Sequence, residues 1–320
     1  NILGQHLLSD SPTLVAAKQS AFLNNNWFTG DFVDLAFRQI STQYLKKEKL
    51  ENWAGNYDTR DNFSGKRIGV VMAGNIPLVG LHDLICCFIM GHKCVAKLSS
   101  KDTVLMQYVI SYLAEIAPET SKYMEVSTLL KDCDAYIATG SNNTARYFEY
   151  YFSKYPNIIR KNRTSVAILS GKETEEELSL LSDDVHQYFG LGCRNVTKIH
   201  VPEDYDFVAL LRSFNKYASF ADHHKYKNNY DYQLSIQLLN HGYYMTNEST
   251  LLFENPSNYS AISVLNYSFY NTGDWPNAAE NTDEIQCIVS HKDMPFGQAQ
   301  CPGLSDYADG VDTMSFLERI

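Results

Sequence analysis

Along this chain, apolar residues follow two alternating rhythms. Short β-branched runs read as strands: "KRIGVVMAG" (66–74), "KCVAKLS" (93–99), "CDAYIATG" (133–140), "TSVAILSG" (164–171) and "VTKIHVP" (196–202). Between them lie longer stretches with helical spacing: "LVGLHDLICCFIMG" (78–91), "TVLMQYVISYLAEI" (103–116), a segment starting near Ser141, and "ETEEELSLLSDDVHQYF". Strands alternating with helices of this length build parallel βαβ units, so the expected fold class is α/β. Two more helices are expected in "YDFVALLRSFNKYASF" and "YDYQLSIQLLNHG", then a Tyr/Asn/Ser-rich stretch, about 243–281, with few helical signals. The expected division is 1–171 for N-terminal helices and the first lobe, 172–300 for a second lobe, and 301–320 for a segment packing back on the body. The first sixty residues read as helices covering the first lobe, with Trp27, Phe28 and Trp53 among their packing residues.

At 320 residues the chain is long enough for two lobes, and 44% hydrophobic with 20% charged residues is ordinary globular composition. A net charge of -10 argues against general nucleic-acid binding, which needs a basic face. Seven cysteines, odd in number and without framework spacing, suit reduced thiols in a cytoplasm. No signal peptide is visible, and the most apolar stretch, 76–90, is interrupted by His82-Asp83 and too short to span a bilayer. His92/Cys94 and His223-His224 lack a second pair at zinc-ligand spacing, so no metal site is expected.

Ligands on open parallel sheets gather at the carboxyl ends of the strands, which directs attention there. "GNIP" ends the first strand. The Asn75 amide suits an oxyanion, but it equally suits a helix cap with Pro77 as first helical residue. Lys97 closes the next strand, where a nucleotide ribose or phosphate, or simply solvent, would meet it. Thr139-Gly140-Ser141 turns from strand to helix, a place where backbone amides attract pyrophosphate, though such turns are common. "AILSGKET" lacks the first glycine of a P-loop and has Glu173 in place of its Ser or Thr, which excludes that reading. Cys193 follows Gly-Leu-Gly and precedes Arg194. Accessibility and a cation favour a reactive thiolate, whereas free cysteine is also one of the most buried residue types.

Taken in order, "GNIP", "VAKLSS", "ATGS", "LSGK" and "GLGC" resemble the aldehyde dehydrogenase superfamily, and within it the acyl-CoA reductases of the bacterial bioluminescence type. "DEIQCIV" resembles its Glu-Ile-Phe-Gly-Pro-Val motif and "PFGQAQCPGLSDYADGV" its closing Pro-Phe-Gly segment. The resemblance implies a Rossmann-type parallel-sheet cofactor lobe and a smaller α/β catalytic lobe. It makes Cys193 the acyl acceptor and Asn75 the oxyanion donor, sets Lys97 at the adenosine ribose and Thr139, Gly140 and Ser141 at the pyrophosphate, and puts Glu284 at the nicotinamide ribose.

The departures sharpen the expectation. Hydrolytic members carry a glutamate base where "VAILSG" places Ile168, and without it water is poorly activated against a thioester. Many NAD-preferring members place a glutamate where Ser100 stands; its loss, with Lys97 and Lys101 nearby, favours NADPH. Gln286 replaces the phenylalanine of the Glu-Ile-Phe motif. The implied substrate is an acyl-CoA or acyl-carrier thioester, fatty by resemblance. Neither a nucleic-acid partner nor a membrane span is expected, and a homodimer is an open option. A Cys-dependent acyltransferase or thioesterase without hydride transfer, or a non-catalytic homologue, are the alternatives.

Overall fold

A computed structural model describes residues 1–59, 65–271, 275–276 and 283–320, which form two compact units: 1–162 with 302–320, and 163–301. The residues 272–274 and 277–281 of the Tyr/Asn/Ser-rich stretch lie outside the described residues.

In the first unit, α1 (Ile2–Leu7), α2 (Pro12–Asn24), α3 (Gly30–Gln39) and α4 (Lys47–Ala54) precede a doubly wound sheet. Its strands are β1 (Arg67–Val71), β2 (Lys93–Lys97), β3 (Met124–Val126), β4 (Ala135–Thr139) and β5 (Asn157–Arg160). All pair in parallel, in the order β3-β2-β1-β4-β5, so the strand order reverses between β1 and β4. The crossovers include α5 (Leu81–Ile89), α6 (Thr103–Ile116) and α7 (Asn142–Phe152). In α6 the buried residues are Leu105, Met106, Val109 and Ile110, one stripe at helical period. Both β3 and β5 are too short and too polar to stand out in the sequence.

The second unit opens with β6 (Thr164–Ile168), followed by α8 (Glu175–His186), β7 (Val196–Pro202), α9 (Phe207–Ser213) and α10 (His224–Leu239). It continues with β8 (Met245–Thr246), β9 (Leu251–Glu254), β10 (Val264–Tyr270) and β11 (Ile285–Val289). The sheet runs β11-β6-β7-β10-β9-β8, with only the β8–β9 pair antiparallel. Thus β6, expected in the first lobe, hydrogen-bonds to β7 and β11 and belongs to the second sheet. Thr174 and Glu177 start α8 with a reciprocal capping box.

The C-terminal segment, with α11 (Thr313–Glu318), belongs to the first unit. Trp53 donates to the Tyr307 hydroxyl at 2.9 Å, and Tyr57 donates to Asp312 at 2.9 Å, tying this segment to the N-terminal helices. Trp53 and Phe28 are buried as expected. His92 bonds to the Leu317 carbonyl at 3.1 Å, so it is spent on holding α11. Deeper still, Arg160 makes a bidentate pair with Asp83 at 2.6 and 2.9 Å and donates to Thr313 at 2.8 Å, all three residues buried. This joins β5, α5 and α11.

Removing one member of that pair leaves a buried charge without its counterion. Asp83→Ala is expected to cost about 3–5 kcal/mol of stability, read from urea unfolding. A loss under about 1 kcal/mol would mean that water reaches the guanidinium.

Candidate active site

In the first unit the candidates gather at the carboxyl edge of the sheet, as the parallel topology requires. Beyond β1 the chain runs through Gly74-Asn75-Ile76-Pro77 in a turn, and α5 begins only at Leu81 with Gly80 as its N-cap. Asn75 is therefore not a helix cap, and the alternative reading of its side chain falls. It is half-buried.

Two contacts fix this turn. A Cβ on Gly74 would come within 2.5 Å of the Ser99 hydroxyl, so only glycine lets the turn lie against the β2–α6 loop. Leu78 takes a positive φ of 56°, and its N–H donates to the buried Asp102 carboxylate at 2.7 Å. Burial pushes the Asp102 carboxyl up to about 8, with the Leu78 N–H pulling the other way. The other Asp102 oxygen is buried without a hydrogen-bond partner.

Lys97, at the end of β2, is exposed, as is Ser100 in the loop that follows. The N-terminal helix α2 and its cap hold that loop: Asn24 and Asn25 donate to the carbonyls of Ser100 and Lys101, each at 3.2 Å. The first sixty residues thus brace a candidate cofactor loop, a role their sequence does not announce. Beyond β4, Thr139 and Gly140 are half-buried and Ser141 is exposed. Ser141 caps α7 by accepting from Thr144 N–H. A Cβ on Gly140 would meet Phe148 at 3.0 Å and Thr144 at 3.1 Å, so a side chain here would crowd the start of α7. An exposed cation at the end of β2 and a capped helix start after β4 flank β1, where the strand order reverses. That placement and chemistry fit a phosphate-bearing dinucleotide.

In the second unit the picture inverts. Cys193 lies just before β7, at the amino edge of the sheet, and Glu284 just before β11, at the same edge. Cys193 is half-buried. It occupies a turn closed by Asn195 N–H donating to the Gly192 carbonyl at 3.1 Å. The chain enters this turn through Tyr188, Phe189 and Gly190, at φ of 55°, 58° and 73°. Such backbone costs about 1–3 kcal/mol at each non-glycine residue, and burial of both aromatic side chains holds it. Phe189 packs at 4.4 Å on Phe220 and 4.5 Å on His223.

Ser165, fully buried near the start of β6, donates to the Cys193 carbonyl at 3.1 Å. The same hydroxyl lies 3.0 Å from the Cys287 thiol and accepts from Cys287 N–H. Burial raises the Cys287 thiol above its ordinary value, while Ser165 and Arg194 act to lower it. The Glu284 carbonyl accepts from Thr164 N–H at 2.9 Å, and its exposed carboxylate accepts from Asn258 at 3.2 Å.

The expectation for Ile168 needs correction. It sits at the carboxyl end of β6, paired with His200, whereas the Cys193 turn adjoins Ser165 at the other end. It does not occupy a base position beside Cys193, because β6 starts the second sheet rather than ending the first. Glu173 confirms the exclusion of a P-loop in a different way. Its carboxylate accepts from the Ser170 and Gly171 N–H groups at 2.6 and 3.1 Å, filling the turn itself. Among the described residues, no group of three or more His, Cys, Asp or Glu is arranged to hold a metal, and no helix is long and apolar enough to cross a membrane.

Ser165, Asn195, Cys287 and Asp102 escaped the sequence reading. Ser165 and Cys287 carry no spacing signal, and only the parallel pairing of β6 with β7 and β11 brings them near Cys193, while Asn195 gives no sign in the sequence of what its side chain holds.

No family model matches the chain, nor does any curated protein. Solved structures do. Aldehyde dehydrogenase 21 from Physcomitrella patens, in complex with the reaction product succinate, superposes at TM-score 0.62 and 11% identity, over 84% of this chain and 66% of that one. An indole-3-acetaldehyde dehydrogenase mutant of P. syringae, in complex with NAD+ and IAA, gives 0.60 and 11%, over 89% and 68%. Aldehyde dehydrogenase C from Pseudomonas syringae, a mutant complexed with NAD+ and octanal, gives 0.58 and 11%, over 85% and 67%. This chain thus spans about two thirds of their length. At such identities the likeness is one of fold: a mixed α/β chain with the parallel sheets of a Rossmann-like cofactor domain and a catalytic domain, as expected from the sequence.

The buried Asp102 yields a pH test. Its folded-state carboxyl titrates above the ordinary 3.8, so the stability linked to it is complete below about 4 and is lost as pH rises to about 8. Asp102→Asn keeps an acceptor for Leu78 but cannot ionise. Urea unfolding is expected to show the variant gaining on wild type between pH 5 and pH 8. Parallel stability curves would contradict this.

Proposed function

We propose that this chain is an NADPH-dependent acyl-CoA reductase that carries the acyl group on Cys193. The observation behind the proposal is the Cys193 turn, held by Ser165 and Asn195 in an aldehyde-dehydrogenase-like fold. The acyl-CoA direction and the fatty character of the substrate rest on the sequence resemblance. One of the similar structures holds octanal.

In this reading the Cys193 thiol loses its proton and the thiolate attacks the thioester carbonyl. The Cys193 N–H would receive the oxyanion, and the sequence resemblance gives the Asn75 amide the same role. The carbon–sulfur bond to CoA breaks, CoA leaves as its thiol, and the acyl group stays on Cys193. Lys97 would hold the nucleotide's ribose or 2′-phosphate, Thr139, Gly140 and Ser141 its pyrophosphate, and Glu284 its nicotinamide ribose. NADPH, when bound, would supply the hydride that reduces the acyl carbon; the carbon–sulfur bond to Cys193 would then break, releasing aldehyde and restoring the Cys193 thiolate. Ser100 leaves the nucleotide's 2′ position free of a repelling carboxylate, which supports NADPH over NADH.

Lys97→Ala and Glu284→Ala separate loading from reduction. Loss of one charged hydrogen bond raises the KM for NADPH about 10-fold or more in Lys97→Ala, while acyl loading of Cys193 stays at the wild-type rate. Aldehyde formation is expected to fall in Glu284→Ala, again with loading intact. If wild type consumes acyl-CoA without oxidising NADPH and releases only free acid or a new ester, the reductase reading fails. A Cys-dependent thioesterase or acyltransferase would then stand.

A further inference from the structure

We infer that Asn195 is a positioning residue for Cys193, acting through a clamp on Gly192. This inference deepens the proposed function and rests on Cys193 being the nucleophile. Asn195 has no exposed surface, so each of its polar atoms must find a partner within the protein. Its Oδ1 accepts from Gly192 N–H at 2.8 Å, while its own N–H donates to the Gly192 carbonyl at 3.1 Å. Both backbone groups of the residue before Cys193 are therefore held by one asparagine.

The other end of the amide reaches back to α8. Nδ2 faces the carbonyls of Asp184, Val185 and Gln187 at 3.1, 3.3 and 2.9 Å. These are groups that the last turn of a helix leaves without intrahelical donors. One side chain thus closes the end of α8, spans the left-handed segment 188–190 and fixes the turn of Cys193 and Arg194.

The clamp is anchored further out. Asp184 is buried and its carboxylate accepts from Gly297 N–H at 2.6 Å and Ala299 N–H at 3.0 Å, in the Pro-Phe-Gly segment. Its main-chain carbonyl is one of the three that Asn195 faces. The Pro-Phe-Gly segment and the nucleophile turn therefore share a scaffold. Ser165 secures the Cys193 carbonyl from β6. With Gly192 and the Cys193 carbonyl all fixed, the orientation of the intervening peptide, and so of the Cys193 N–H offered to an oxyanion, is set before substrate arrives.

Asn195→Ala removes every side-chain contact of the clamp, on Gly192 and on the end of α8, and leaves only the main-chain N–H on the Gly192 carbonyl. Asn195→Asp retains the acceptor for Gly192 but turns a carboxylate oxygen on the carbonyls that Nδ2 served. The first-order rate of acyl loading at saturating acyl-CoA is expected to fall about 30-fold or more in both, with half-saturation within about threefold of wild type. Alkylation of Cys193 by iodoacetamide is expected to change about fivefold or more, while Cys301 in the same unit reacts as in wild type and Cys287 stays protected. Amide hydrogen exchange gives a reading that needs neither turnover nor a variant. Gly192 N–H is expected to be protected in wild type, although it lies in a loop.

Wild-type loading and Cys193 alkylation that survive both substitutions would overturn the inference. So would Gly192 exchanging at its intrinsic rate in wild type. Failure of wild type to load any acyl-CoA would instead sink the proposed function; Gly192 protection and the alkylation ratio would still decide whether Asn195 positions the Cys193 thiol. Exposure of Cys287 in both variants would show that Asn195 holds the whole unit, and would count against a positioning role.

Discussion

The second unit depends on how few residues separate α8 from β7. The chain must leave a helix, reverse, and enter a buried parallel strand, and it does so through three consecutive left-handed residues. Two of these are large aromatics that would not choose such backbone alone. Their buried rings and the fully satisfied Asn195 amide offset the cost. Cys193 emerges from this segment on a turn with little freedom of its own. If the proposal holds, a thiol on a turn entered through such backbone is pre-placed for attack rather than brought there by fluctuation.

The first unit solves a related problem by different means. Its candidates follow the carboxyl ends of β1, β2 and β4, where loops have no ladder partners. The loop after β2 is braced from outside by Asn24 and Asn25, and the turn after β1 from inside by Asp102. The Arg160–Asp83 pair with Thr313 ties β5 and α11 into the same core. His186 shows the same logic in the second unit. It is buried and held neutral, its titration pushed down to about 4 by burial. Its ring lies between the Ser182 carbonyl and the Thr250 hydroxyl, so it is an element of packing rather than an available base.

Much of the fold was legible because periodicity reports burial. The helix over 103–116 and the strand over 196–202 fall where the pattern puts them. The helix expected from residue 78 starts later, at Leu81, because the Asp102–Leu78 contact holds the intervening residues in a turn. The expected start of the second lobe came too late for β6, since a run such as "TSVAI" does not say which sheet it will join. For the candidate site, residue types with a chemical signature were visible: a lysine at a strand end, a cysteine after glycines, an asparagine before proline. Their supports were not. Ser165 and Asn195 matter because of what parallel register and a short connection bring beside them, and neither has a spacing of its own. The placement of Ile168 failed for the same reason, as linear order does not say which end of a strand faces a loop.

The most direct test of the account is the intact mass of wild type and Cys193→Ala after mixing with a series of acyl-CoAs, without nucleotide. The account predicts one acyl group on wild type only, mapped to the peptide holding Cys193 and lost as aldehyde when NADPH is added. No adduct with any acyl-CoA, or an equal adduct on Cys193→Ala, would contradict it and leave Cys193 a half-buried thiol on an ordered turn.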